Sequence, residues 1–125
     1  MEPSQNTLLR RKTARKVSGL YVIVDPSATL GRNIIDIASA ALSGGASAIQ
    51  YRDKKANRND QLLNAQRIRE VCEVHGGMLI INDHPELAKV SEAHGVHLGQ
   101  QDMAISEARE LLYEHQFLGT SIALL

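Results

Sequence analysis

Cysteine, tryptophan and phenylalanine are nearly missing from this chain of 125 residues. The single cysteine, Cys72, excludes an internal disulfide and any zinc or iron–sulfur centre built on cysteine. There is no Trp, and aromatic residues make up only 3% of the chain, which argues against a stacking platform for single-stranded nucleic acid. No apolar run approaches the roughly 18 residues of a membrane span. Net charge is absent too, with 14 basic residues against 14 acidic ones. At 43% hydrophobic residues, aliphatic side chains must fill the core of a single domain. The expectation is a soluble, cytoplasmic, globular protein.

The charge is unevenly distributed. Residues 1–16 hold Arg10, Arg11, Lys12, Arg15 and Lys16 against Glu2 alone. This stretch reads as a disordered basic tail without the apolar core of a secretory signal. Residues 17–125 read as the folded part.

From residue 19 onward strand and helix periods alternate. Leu20 to Val24 is a β-branched apolar run closed by Asp25-Pro26. Ile34, Ile37, Ala38, Ala41 and Leu42 follow at helical spacing, and Gly44-Gly45 stops them. Ser47 to Arg52 reads as a second strand. Lys54 to Asp60 is a polar loop, with Asn59 or Asp60 as the expected cap of a helix carrying Ala65, Ile68, Val71 and Cys72. Met78 to Ile81 is a third strand. Pro85 starts a short helix expected to run to Ala93. Gly95 to Leu98, a helix marked by Ile105, Ala108, Leu111 and Leu112, and a strand from Phe117 to Ser121 complete the pattern. Five strands joined by helices fit either an open doubly wound sheet or a (β/α)8 barrel. The first turn carries no GxGxxG, which weakens a dinucleotide reading.

Polar residues gather where the strands end. Gln50 and Arg52 share one face of the second strand, and Ile49 and Tyr51 take the other. Lys54, Asn82-Asp83, His97, Asp102 and Ser121 lie at or just beyond later strands. An arginine within an apolar strand is costly to bury unpaired. Arg52 and Lys54 are suited to gripping phosphate, and Asp83 and Asp102 to holding Mg²⁺ together with substrate phosphates. Taken together these residues read as a diphosphate–magnesium site. No nucleophilic triad is visible around Ser121 or Cys72. Simpler readings stay open: Asp83 with Glu86 as a capping box, Asp102 as a helix cap, and Arg52-Asp-Lys-Lys55 as a solvated loop. His94 and His97 would fall on opposite strand faces, which does not favour a shared metal.

Three segments, Ala48-Ile-Gln-Tyr-Arg-Asp-Lys54, Leu79-Ile-Ile-Asn-Asp83 and Gly95-Val-His-Leu-Gly-Gln-Gln-Asp102, resemble signatures of the thiamine-phosphate synthase family, and Leu118-Gly-Thr-Ser121 resembles a fourth. The resemblance implies a (β/α)8 barrel and a transferase that joins hydroxymethylpyrimidine diphosphate to thiazole phosphate, releasing pyrophosphate in thiamine biosynthesis. It implies that Gln50, Arg52, Lys54 and Asn82 bind the pyrimidine diphosphate. Asp83 and Asp102 would then hold Mg²⁺, Ser121 would line the substrate pocket, and Arg52, Lys54 and Ser121 would carry the catalysis. Tyr51, His84 and His94 depart from the usual pattern, as does Ile122 after Ser121. An eightfold barrel needs about 200 residues or more, so the chain reads as only the first five strands and four helices. That shortfall predicts self-association or a complementing C-terminal half, and no detectable activity of the chain alone. Within the same superfamily a thiazole tautomerase is the alternative. An inactive half-barrel that binds a partner or a diphosphate is another.

Overall fold

The strands are short, and the first two α-helices begin where an asparagine side chain can take their first free amides. The computed structural model describes residues 4–6, 20–99 and 105–120. Strand β1 (Tyr21–Val24) runs into a single 3₁₀ turn at Pro26–Ala28, capped by Asp25. Helix α1 (Ile34–Ser43) is capped by Asn33, whose oxygen accepts from the Ile35 amide at 2.8 Å. Strand β2 (Ala48–Tyr51) leads to helix α2 (Arg58–His75). The α2 cap is Asn57, which accepts from the Asp60 amide at 2.8 Å. Asn59 and Asp60, the expected caps, lie inside the first turn, where Asp60 faces the positive end of the helix dipole. Strand β3 (Met78–Asn82), helix α3 (Pro85–Val90), strand β4 (Gly95–Leu98), helix α4 (Ile105–Leu111) and strand β5 (Phe117–Thr120) follow. Helix α3 stops short of Ala93 because Glu92 takes a left-handed conformation, with φ of 55°. Among the described residues no helix is long and apolar enough to cross a membrane.

All four strand pairs are parallel, and the sheet order is β1-β2-β3-β4-β5. A doubly wound sheet reverses its order at a switch point; this one does not. Right-handed crossovers between sequential neighbours place every helix on the same face. On that face Val24, Ile49, Tyr51, Leu79, Ile81 and Val96 form one buried core with Ala38, Leu42, Ala65, Ile68, Cys72 and Leu87 of the helices. The arrangement is the expected first part of a barrel.

The opposite face would line the barrel. Its centre, Ala48, Met78 and Ile80, is covered by the rings of Tyr21 and Phe117, which reach in from the two edge strands. Gly95 makes this cover feasible, because a Cβ there would lie 2.6 Å from the Phe117 ring. Ile23 on the same face remains 55% exposed.

Beneath the sheet, one polar side chain closes the joint between α3 and β5. Gln116 is fully buried, and its amide nitrogen donates to the carbonyls of Ala88 at 2.8 Å and Ala93 at 2.7 Å. Its oxygen accepts from the Tyr113 amide at 2.9 Å. These three side-chain hydrogen bonds serve backbone groups left over at the end of α3 and before β5. Gln116→Leu is therefore expected to cost about 3 kcal/mol, since it strands several buried backbone groups at once. Urea denaturation of the wild type and variant measures this; equal stabilities would show that water replaces the amide.

Candidate functional site

Two tiers of polar residues stand at the C-terminal ends of β1, β2 and β3. The lower tier is made of neutral groups. Gln50 is 3% exposed; its nitrogen donates to the Tyr21 hydroxyl, and its oxygen accepts from Asn82 Nδ2 at 2.9 Å. Both ends of the Gln50 amide are thereby oriented. Burial pushes the Tyr21 hydroxyl up, against the pull of the Gln50 donor, so it stays protonated as the ligand of that amide.

The upper tier is charged. Arg52 Nη1 lies 2.6 Å from Asp25 Oδ2, and Lys54 Nζ lies 3.4 Å from Asp83 Oδ2. The order along the rim is carboxylate, guanidinium, ammonium, carboxylate. Arg52 is 40% and Lys54 60% exposed, against 13% for Asp25 and 18% for Asp83. The acids are fixed at the base and the cations reach into solvent. Arg52 is thus not the buried strand arginine expected from sequence. It sits just past β2, and the carboxylate on the neighbouring strand end answers its charge.

Asp83 carries a left-handed backbone, with φ of 68°, and its amide donates to the His97 carbonyl at 2.8 Å. A non-glycine residue is held there only when its surroundings over-determine the conformation. The turn leaves the Asp83 carboxylate 3.4 Å from Lys54 Nζ. His84, not Asp83, is the N-cap of α3, and no side chain caps that helix, so the capping-box reading does not hold. Asn82 is level with His97 on β4, and His97 with Gly119 on β5. His94 lies before β4, where its Nδ1 accepts from the Leu79 amide at 3.1 Å. Asp102 and Ser121 lie outside the described residues.

The segment between the two cations is built rather than solvated. Asp53 Oδ1 accepts from the amides of Lys55 at 3.1 Å and Ala56 at 3.0 Å. Clefts flank it on both sides. One, of about 510 Å³, is lined by Lys54, Ala56, Arg58, Gln61, Asp83 and His84. The other, of about 340 Å³, is lined by Asp25, Pro26, Ser27, Arg52, Asp53, Lys54 and Lys55. Both volumes suit a small anionic ligand.

Three members of this arrangement are not singled out by sequence reasoning: Tyr21, Asp25 and Asp53. Only the register between strands picks out Asp25. Ile23 pairs with Gln50, so Asp25 and Arg52, each two residues further along, stand opposite one another.

A family model described as thiamine monophosphate synthase matches residues 20–125. The thiamine-phosphate synthase of Nostoc punctiforme is 43% identical over 104 residues, covering 83% of this chain and 28% of that protein. The thiamine-phosphate synthase of Marinobacter nauticus is 44% identical over 101 residues, covering 81% of this chain and 46% of that protein. Among solved structures, a thiamine phosphate pyrophosphorylase from Pyrococcus furiosus superposes with a TM-score of 0.79 at 29% identity, covering 87% of this chain and 52% of that one. The chain spans about half or less of the length of these relatives.

The rim carboxylates carry a pH dependence. The Ser27 hydroxyl and amide, with Arg52, hold the Asp25 carboxyl below the usual carboxylate range despite some loss of solvation. Burial works against the charge on Asp53, but the Ala56 amide, the Tyr51 hydroxyl and the Lys55 amide outweigh it and lower its pKa as well. A carboxylate lowered in the folded state stabilises the fold above its unfolded pKa, about 4, and this contribution is lost as pH falls through the folded value. Stability is thus expected to drop below about pH 4, and to drop less steeply in the Asp25→Asn, Asp53→Asn double variant. Denaturant midpoints taken from neutral to acid pH check this; parallel acid limbs would contradict it.

Proposed function

The chain belongs to the thiamine monophosphate synthase family, and on that premise we propose that its rim is the diphosphate-binding half of a thiamine-phosphate synthase site. The reaction proposed is attack of the thiazole phosphate nitrogen on the pyrimidine methylene carbon. The carbon–oxygen bond to the diphosphate breaks, and thiamine phosphate and pyrophosphate are released. The observation that supports this is the pairing of Arg52 and Lys54, each with a less exposed carboxylate from a neighbouring strand end. Two cations held side by side over two oriented amides suit a ligand with a neutral ring and a diphosphate tail. They also favour a diphosphate-using transferase over a tautomerase.

In this reading Arg52 and Lys54 turn from Asp25 and Asp83 to the phosphates and stabilise the negative charge that builds on the leaving oxygen. Gln50 and Asn82, locked to each other, orient the pyrimidine, which lowers the entropy cost of the attack. No covalent nucleophile is required.

The donor set fits a magnesium ion. A hard cation is commonly held by one or two carboxylates together with substrate phosphates. Asp83 offers an oxygen 3.4 Å from Lys54, within reach of a phosphate that the lysine would bind. Among the described residues no three His, Cys, Asp or Glu side chains cluster. Asp83 and Asp102 would hold the ion, which would supply charge neutralisation to the leaving diphosphate. The same proposal assigns the thiazole phosphate to segments corresponding to the second half of the longer relatives, Ser121 to the substrate pocket, and the reaction to the cytoplasm.

Titration calorimetry with inorganic pyrophosphate tests the reading. Binding is expected to strengthen with Mg²⁺. Asp83→Asn should remove most of that enhancement, and Arg52→Gln should weaken binding by about tenfold or more with or without the metal, as loss of a charge-assisted contact does. Equal affinity with and without Mg²⁺ would overturn the metal assignment. Unaltered affinity in Arg52→Gln would overturn the phosphate assignment.

A further inference from the structure

The residue between the two rim cations is held more firmly than either cation. Asp53 uses one carboxylate oxygen for the Lys55 and Ala56 amides. Its other oxygen accepts from the Tyr51 hydroxyl at 2.8 Å. Its backbone carbonyl accepts from Gln61 Nε2 at 2.7 Å. The Tyr51 hydroxyl in turn accepts from Asn64 Nδ2 at 3.2 Å. Tyr51 is 2% exposed on the helix side of β2, and Gln61 is 6% exposed in α2. These groups come from the sheet and from the first two turns of α2, and they converge on one loop residue. Neither Tyr51 nor Gln61 lies on the barrel-facing side with Gln50 and Asn82.

We propose that Tyr51, with Gln61 and Asn64, is a positioning element that locks Asp53 and so fixes the spacing of Arg52 and Lys54 for a diphosphate. The inference rests on the diphosphate reading above. The physical reason lies in entropy. Arg52 and Lys54 are long, exposed side chains, and every degree of freedom left in the backbone beneath them must be frozen when a ligand spans both. A clamp already closed in the free protein removes that cost. The Tyr51 ring anchors the clamp in the core, and burial pushes its hydroxyl well above the ordinary tyrosine range, so it remains a donor to the Asp53 carboxylate at any working pH.

Tyr51→Phe removes the hydroxyl and leaves the ring. The expected result is a loss of pyrophosphate affinity of about tenfold, the size of one net hydrogen bond to a charged group. Amide hydrogen exchange at Lys55 and Ala56 should quicken by a similar factor, while the amides of β2 and β3 exchange as before. In a Tyr51→Phe, Lys54→Ala double variant the two losses should not add, because the clamp acts through the cation. Gln61→Met attacks the same loop from α2 and serves if Tyr51→Phe folds poorly. Unchanged exchange at Lys55 and Ala56 in both variants overturns the proposal. Quickened exchange with unaltered pyrophosphate affinity also overturns it, since the clamp would then hold a loop without positioning anything. If the wild-type chain fails to bind pyrophosphate, the diphosphate reading falls by itself, and the exchange data still decide whether the clamp exists.

Discussion

Parallel pairing in unbroken chain order is the constraint on which the other features depend. Every strand starts at one end of the sheet and finishes at the other, so every strand-to-helix turn meets at one rim. Every helix must pack on the same face. The period-two alternation along a strand then separates the two kinds of residue. Ile49, Tyr51, Leu79 and Ile81 go under the helices, while Gln50 and Asn82 go to the other face and bond to each other. An antiparallel order would scatter Asp25, Arg52, Asn82 and Asp83 over two ends of the sheet.

The rim solves an electrostatic problem in the free protein. Two unpaired cations two residues apart on one loop would repel each other, and two unpaired carboxylates partly removed from water would be costly. Pairing each cation with its own carboxylate, Arg52 with Asp25 and Lys54 with Asp83, neutralises each charge locally. The pairs are partly exposed and worth little as stabilisers. That weakness suits a binding role, because an anion has little to displace. The firm part lies beneath, in the amide tier and in the hydrogen bonds around Asp53, where burial makes an unmade bond expensive.

Much of this was legible in the residues because it depends on alternation. Gln50 and Arg52 two apart, apolar Ile49 and Tyr51 alternating with them, and Asn82-Asp83 closing an apolar run all project directly onto the structure. What was not legible depends on register between strands or on a contact between distant segments. Asp25 reads as a turn residue until Ile23 is known to pair with Gln50. Gln116 reads as a loop glutamine until the end of α3 is placed beside it. Asp53 reads as part of a charged run, since only the arrival of Tyr51 and Gln61 makes it a clamp. The α2 cap shifts to Asn57 because the backbone direction at that residue, with ψ of 167°, leaves the helix there rather than two residues later.

The central claim is that one rim of this sheet takes a diphosphate. The most direct measurement is a titration of the isotope-labelled 125-residue chain with magnesium pyrophosphate, following backbone amide resonances. The account predicts that the shifts concentrate in residues 25–27, 52–56 and 82–84, at the C-terminal ends of β1, β2 and β3. The amides at the opposite end, around Ser47, Gly77 and His94, should stay still. Shifts centred on that opposite end, or spread evenly over the helices, would contradict it.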